Sequence, residues 1–580
     1  MLTVNTVKFF AVGAAAMLSA CVSYEPEESI VGDYLSARMA ARANDAGSAA
    51  DAYGDAFSVV PASVDILRDA FFYSLVAGDI DEAMGYAAQL SKREDAGDDG
   101  LSVLALAARA IKQGDYAGVE KLLDDHTIAG YLTPTANIIR AWAIDGRKGP
   151  EAALASLRET AGNEYKGFYP IHQALLSDKA GDIEEARSAY QMSVMANGGA
   201  VEVASYGAFL ERQKEESEAR EFYGLLADKP GFARIPAEAG IARLDEGRAA
   251  PSVTSQTPAI GAAKAYFSLA NGVLQQTVNQ RVAAEEAGFR VPNANYNMPL
   301  AMTQLALYLD PGFDDARRLA GSIFNVYGKN ENAIAVLSKI APSSPYYAQS
   351  QIDIAGALNA LERNEEAISV LKDVARRSGS TDARLALAGM YSSEERHEEA
   401  VATLTGLIAE SENSPSTEDW RNYLARAASL LLLDEWPRAE ADLKKAVELA
   451  PEEPAALNYL GYSWVERGEN LEEAFTLIEK AVSLQPDSGA IIDSLGWAHY
   501  QQGNYQEAVN NLEHAASLEP GDPTVVDHLG DVYWRLGRKI EAQYQWRHVL
   551  ELDPNDKLKA AVEEKLQHGL DDGDGSANDH

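Results

Sequence analysis

Covalent chemistry has few places to start in this sequence. Among 580 residues there is one cysteine, Cys21, and there are nine histidines. A single thiol forms no internal disulfide. It also cannot build a cysteine-based metal site, which takes three or four ligands about 2 Å from one ion. His514 and His548 lie 34 residues apart, the separation that a duplicated segment produces. Neighbouring acids such as Glu365-Glu366, Glu472-Glu473 and Asp571-Asp572 read as solvated surface. The sequence has no G-x-x-x-x-G-K-[ST] phosphate loop, no strand–G-x-G-x-x-G–helix unit and no G-x-S-x-G elbow. These observations predict no catalytic residue, no metal site and no cofactor, and a chain that is not an enzyme.

The lone thiol has a distinctive setting. Lys8 precedes an apolar run from Phe9 to Leu18. Such a run has the length of a signal-peptide core and is too short to cross roughly 30 Å of hydrocarbon. It leads into Leu18-Ser19-Ala20-Cys21. That stretch resembles the lipobox of bacterial lipoproteins, where the signal is cut before the cysteine and the thiol receives a diacylglycerol. The resemblance implies a signal peptide over 1–20, a lipidated linker over 21–29 and lipid attachment at Cys21. Several acyl chains, at about 0.8 kcal/mol per buried methylene, hold a protein firmly at a membrane. By resemblance to lipoprotein sorting, Val22 rather than Asp after the cysteine implies an outer-membrane lipoprotein facing the periplasm, with inner-membrane retention as the alternative.

The rest of the chain is a repeat. Pro451, Pro486, Pro520 and Pro554 recur at intervals of 34 or 35 residues. Ala439, Ala474, Ala508 and Ala542 keep the same period, and so do Ala427, Gly461, Gly496 and Gly530. One period in three registers predicts helix pairs: a small residue lets two helices cross closely, and proline ends the second helix. Fainter copies follow Ala333, Ala367 and Ala400, then Ala186 and Ala219, then Ala49 and Ala83. The spacing predicts an all-α solenoid of about fourteen helix pairs between residues 30 and 556, weakest over 96–166.

The stretches around Leu460-Gly461, Leu495-Gly496 and Leu529-Gly530 are similar to tetratricopeptide repeats, and the chain resembles the alphaproteobacterial tetratricopeptide-repeat lipoproteins from about residue 260 to 556. The resemblance implies a right-handed superhelix whose first helices line a concave groove. On that face it places Asn458, Tyr462 and Glu466; Asp493, Trp497, Tyr500 and Gln501; and Asp527, Asp531, Trp534 and Arg535. Aromatic side chains there would anchor a protein segment, and the acids would favour basic or amphipathic partners. Packing between helices is the other role open to Trp497 and Trp534.

The expected organisation is an N-terminal arm over 30–249, a linker over 250–258, a C-terminal arm over 259–567 with an insertion at 279–298, and a disordered acidic tail over 568–580. The linker and the insertion are open to three readings: hinge, binding loop or variation in repeat length. Eighty-eight acids against 50 bases give a net charge of -38. That field repels nucleic acid and anionic lipid, and it either selects partners or keeps a long solenoid from sticking to itself. The function expected is a membrane-anchored protein–protein interaction scaffold of the Gram-negative envelope, supporting assembly, export or secretion machinery. A subunit of an exopolysaccharide export apparatus is the alternative, and a repeat-bearing enzyme the remote one.

Overall fold

A computed structural model describes residues 30–570, except 98, 161–166, 228, 230, 287–294 and 412–418. Cys21, the signal region and 571–580 lie outside the described residues. Thirty α-helices and no strand occur among the described residues. Most are 11–15 residues long and alternate between first and second helices of a pair.

The alanine register explains the pairing. Ala49, Ala83, Ala186, Ala219, Ala333, Ala367, Ala400, Ala439, Ala474, Ala508 and Ala542 are all fully buried. Opposite them the small first-helix residue is compulsory. A Cβ on Gly461 would sit 2.7 Å from Ile478, one on Gly496 2.7 Å from Leu512, and one on Gly530 2.5 Å from Trp546. The weak stretch keeps step as well. Val119 and Ala153, both fully buried, hold the crossing positions there. A valine in place of alanine hides the repeat from the eye without changing the geometry.

A second marker is conformational. The turn inside most of the pairs carries one residue in the left-handed region, such as Gly468, Gly503 and Gly537. Where glycine is missing, Lys214, Glu362, Glu395 and Asp434 adopt the same conformation with φ of 57–62°. Such a conformation costs an L-residue roughly 1–2 kcal/mol, and the packed pairs around it impose it.

The chain divides into two compact units, 1–363 and 364–580. That corrects the expected division at 250–258. Helix Pro258–Glu286 and helix Asn297–Leu309 form an antiparallel pair, but the pair does not start a second arm. It lies against the first helices Val64–Ala77, Gly100–Lys112 and Thr133–Lys148, the inner wall of the N-terminal arm. Tyr266 donates its hydroxyl proton to the Leu104 carbonyl at 2.7 Å. Lys112 Nζ caps the end of the incoming helix at the carbonyls of Tyr308 (2.7 Å) and Leu309 (3.2 Å). Gly261 is a glycine of necessity, because a Cβ there would run into the fully buried Trp142 ring. One continuous core runs from Phe57 to Ala357.

The linker 250–258 is pinned. Arg212 Nη1 donates to the Pro251 carbonyl at 2.7 Å, Lys179 Nζ to the Gln256 carbonyl at 3.2 Å and Lys264 Nζ to Gln256 Oε1 at 2.7 Å. Three basic side chains from three helices hold nine residues, which argues against a hinge. The first eight residues of the expected insertion, 279–286, are the end of helix Pro258–Glu286, and 287–294 lie outside the described residues.

Unit 2 is built differently. Its pairs stack in sequence, and among the described residues no second layer of helices is laid on its first helices. The helix Asp556–His568 closes its end.

Candidate functional site

The expected recognition residues come from three first helices of unit 2, Pro454–Arg467, Gly489–Gln501 and Pro523–Arg535, which pack side by side. Their starts are fixed locally. Pro454 and Pro523 occupy first-turn positions, where the missing N–H is no loss. Asp522 accepts the Thr524 N–H at 2.8 Å, and Ser488 caps the middle helix.

The three acids do not face solvent. Asp493, Asp527 and Asp531 are each 4–5% exposed, and each already has a cation. His528 Nδ1 lies 3.1 and 3.0 Å from the two carboxylate oxygens of Asp493. Lys565, from the closing helix, reaches Asp527 Oδ2 at 2.7 Å and Asp531 Oδ2 at 2.8 Å. Asp531 Oδ1 also accepts the Trp546 indole N–H at 2.9 Å. The expectation that these acids attract a basic partner is therefore corrected. They bind repeat to repeat and repeat to closing helix, because burying a carboxylate requires a partner close by.

The electrostatics follow from that packing. Burial works against a charged His528, but Asp493, Asp527 and Asp531 outweigh it and raise its pKa to about 9. Asp527 is raised to about 6 by burial and by Asp531, with Lys565 pulling the other way. Lys565 is raised by the same two acids against its own burial.

Trp497 is 7% exposed and belongs to the packing. It is sandwiched between His528 (4.0 Å, 13°) and Tyr500 (4.6 Å, 6°), and its indole N–H goes to Glu466. Trp534 is half-buried. It stands 5.3 Å from Trp546 and donates to the Leu570 carbonyl at 3.2 Å. Of the two roles open to Trp497, the structure selects packing.

What the wall presents is the remainder. Gln501 is exposed, while Asn458, Tyr462, Glu466, Tyr500 and Arg535 are half-buried. Arg535 Nε donates to the Tyr500 hydroxyl at 3.2 Å. Burial, Glu466 and Asp493 raise the Tyr462 phenol, so it stays a neutral donor. The Asn458 side-chain oxygen is buried without a hydrogen-bond partner. These groups suit neutral hydrogen bonding and aromatic contact. Sequence reasoning missed His528 and Lys565. A histidine next to an acid on a first helix was the visible signal for one. Nothing local marks a lysine 34 and 38 residues from the acids it serves.

No group of acids, histidines and cysteines among the described residues could hold a metal ion. No described helix is long and apolar enough to cross a membrane.

Comparison with known proteins agrees with the repeat geometry. Residues 424–489 match the tetratricopeptide repeat model, and 496–537 match a TPR repeat model. A TPR repeat-containing protein of Pseudomonas aeruginosa is 44% identical over 69 residues. The match covers 12% of this chain and spans only 12% of that relative's length. Among solved structures, the APC/C hetero-tetramer Cut9-Hcn1 has a chain of which 97% is covered, against 94% of this one, at 16% identity and a TM-score of 0.38. A tetratricopeptide repeat protein from Parabacteroides merdae matches over 44% of this chain and 97% of its own, at 15% identity and a TM-score of 0.36.

Proposed function

We propose that this tetratricopeptide-repeat protein is a non-catalytic scaffold, anchored through Cys21 to the outer membrane of a Gram-negative envelope, that holds partner proteins of the assembly, export or secretion machinery on the inner wall of unit 2. One observation carries the reading. The first helices of unit 2 leave Tyr462, Gln501 and Arg535 at least partly open, with no second layer of helices over them among the described residues. Unit 1 has its equivalent wall covered by its own chain.

The partner segment is amphipathic. Tyr462, Tyr500 and Trp534 supply large contact area at low entropic cost, and Asn458, Gln501 and Arg535 supply the polar contacts. Charge steering falls to the protein's general acidity rather than to Asp493, Asp527 and Asp531, whose charges are used internally.

A photo-reactive amino acid in place of Gln501 tests the reading in cells. The control is the same group in place of Tyr544, which is 66% exposed on a second helix. Discrete adducts are expected at 501, dependent on Cys21 and labelled with a fatty-acid analogue in wild type but not in Cys21→Ser. Adducts at 544 alone would move the binding face. Labelling of Cys21→Ser equal to wild type would remove the anchor.

A further inference from the structure

Unit 1 contains a cavity of about 260 Å³ that neither the anchor nor the recognition wall uses. It lies where the turn Asn44–Gly47 and the turn around Ala77 and Asp79 meet helices Asn297–Leu309 and Asp314–Val326. Val76, Leu300 and Phe324 give it apolar lining. The charged lining is one pair, Lys329 Nζ 2.9 Å from Asp45 Oδ2, and Asp79, which is exposed.

Asn297 sets the chemistry. The residue is only 3% exposed, yet it lines the cavity. Its backbone N–H is taken by Asn295 Oδ1 at 2.9 Å, and its side-chain amide has no hydrogen-bond partner among the described residues. An amide brings two donors and an acceptor. A carboxylate ligand would use only the donors and an ammonium only the acceptor. A carboxylate would also meet the like charge of Asp79, and an ammonium drawn to Asp79 would leave both amide donors unused. A neutral ligand whose groups both donate and accept satisfies the amide and leaves the Lys329–Asp45 pair intact. The cavity's volume of about 260 Å³ leaves room for one small ring. A ring with hydroxyls on its edge and C–H bonds on its face matches the mixed lining, in the general manner of small-ligand pockets.

We propose that this cavity binds a neutral sugar ring, with Asn297 as the orienting contact. Saturation-transfer NMR on the full chain tests it, with glucose and N-acetylglucosamine as probes and N-acetylglycine methylamide as the peptide comparator. Transfer to at least one sugar is expected in wild type. It should fall roughly tenfold in Asn297→Leu, the scale of one lost hydrogen bond to a neutral partner. Asn332→Tyr, at an exposed lining position, should fall similarly by blocking the space. It carries the test alone if thermal melting shows that Asn297→Leu does not fold. Transfer to neither sugar, transfer to the peptide comparator alone, or undiminished transfer in a folded variant would each overturn the proposal.

Discussion

The two units use one building block to opposite ends. Both pair helices at the same period, with alanine at the crossing and a left-handed residue in the turn. Unit 1 lays the pair 258–286 and 297–309 against its own first helices, so its inner wall becomes core. Unit 2 spends its inner acids on His528 and Lys565 and leaves an aromatic, nearly neutral wall. The lesson is that a repeat pattern specifies the block and its neighbour contacts but not whether the groove stays open. That is decided by segments that return from elsewhere in the chain.

The strongest way to break this contrast is Trp142→Ala. Trp142 is fully buried, packs on Gly261 and donates to His172 Nδ1 at 3.1 Å. Its loss should cost about 3–5 kcal/mol. Amide hydrogen exchange should show loosening within 1–363 and an unchanged unit 2. Equal loosening of both units would mean they fold as one body.

Lys565→Met probes the other side. It leaves Asp527 and Asp531 buried without their cation and should cost unit 2 roughly 3 kcal/mol, the scale of breaking a buried pair. Denaturant melts at pH 7 should show the loss. It should shrink toward pH 5 as Asp527, already raised to about 6 with Lys565 beside it and higher without it, takes up a proton.

The histidines sharpen the comparison, because they titrate in opposite senses. His528 has a folded pKa raised to about 9, above its ordinary 6.5. Its contribution to unit 2 is complete below pH 6.5 and disappears as pH rises through 9, on the order of 3 kcal/mol. His172 is fully buried and its pKa is pushed down to about 3, by burial first and by Lys264 second. Its contribution to unit 1 is present above pH 6.5 and is lost as pH falls toward 3. Exchange rates measured at pH 5, 7 and 9 should therefore show unit 2 loosening at alkaline pH in wild type but less in His528→Gln. Unit 1 should show the reverse dependence, reduced in His172→Gln. A wild-type profile that matches both variants would remove the two histidines as its source.

The smallest effect expected is stabilising. Glu395→Gly relieves a φ of 57° while loosening the unfolded chain, so the net gain should be about 0–1 kcal/mol. A midpoint shift of that size in unit 2 checks it. A clear loss would mean that the glutamate side chain matters more than its backbone.

Much of this was legible in sequence. The crossing alanines, the compulsory glycines and the helix count follow from spacing alone, since each reports a contact between neighbours. The break at 279–298 was visible, but periodicity does not say which wall receives the helices on either side of it, 258–286 and 297–309. Asp493, Asp527 and Asp531 lie on first helices as the spacing predicts, whereas their burial was not legible. A face is a local property, and burial depends on His528 and Lys565, 34–38 residues further on. Cys21 remains a reading of sequence, because the lipid-attachment region lies outside the described residues.

The contact between Lys329 and Asp45 joins residues 284 positions apart, and that has a kinetic side. Closing a loop of that length costs about 2 kcal/mol more in chain entropy than closing one repeat of 34 residues. Unit 2 can therefore zip from any repeat outward, as nearest-neighbour arrays do. Unit 1 cannot complete its core until residues near 309 have left the ribosome. The first helices Val64–Ala77, Gly100–Lys112 and Thr133–Lys148 must wait with an apolar wall uncovered, so the folding rate of this half is set by its later part rather than by its start.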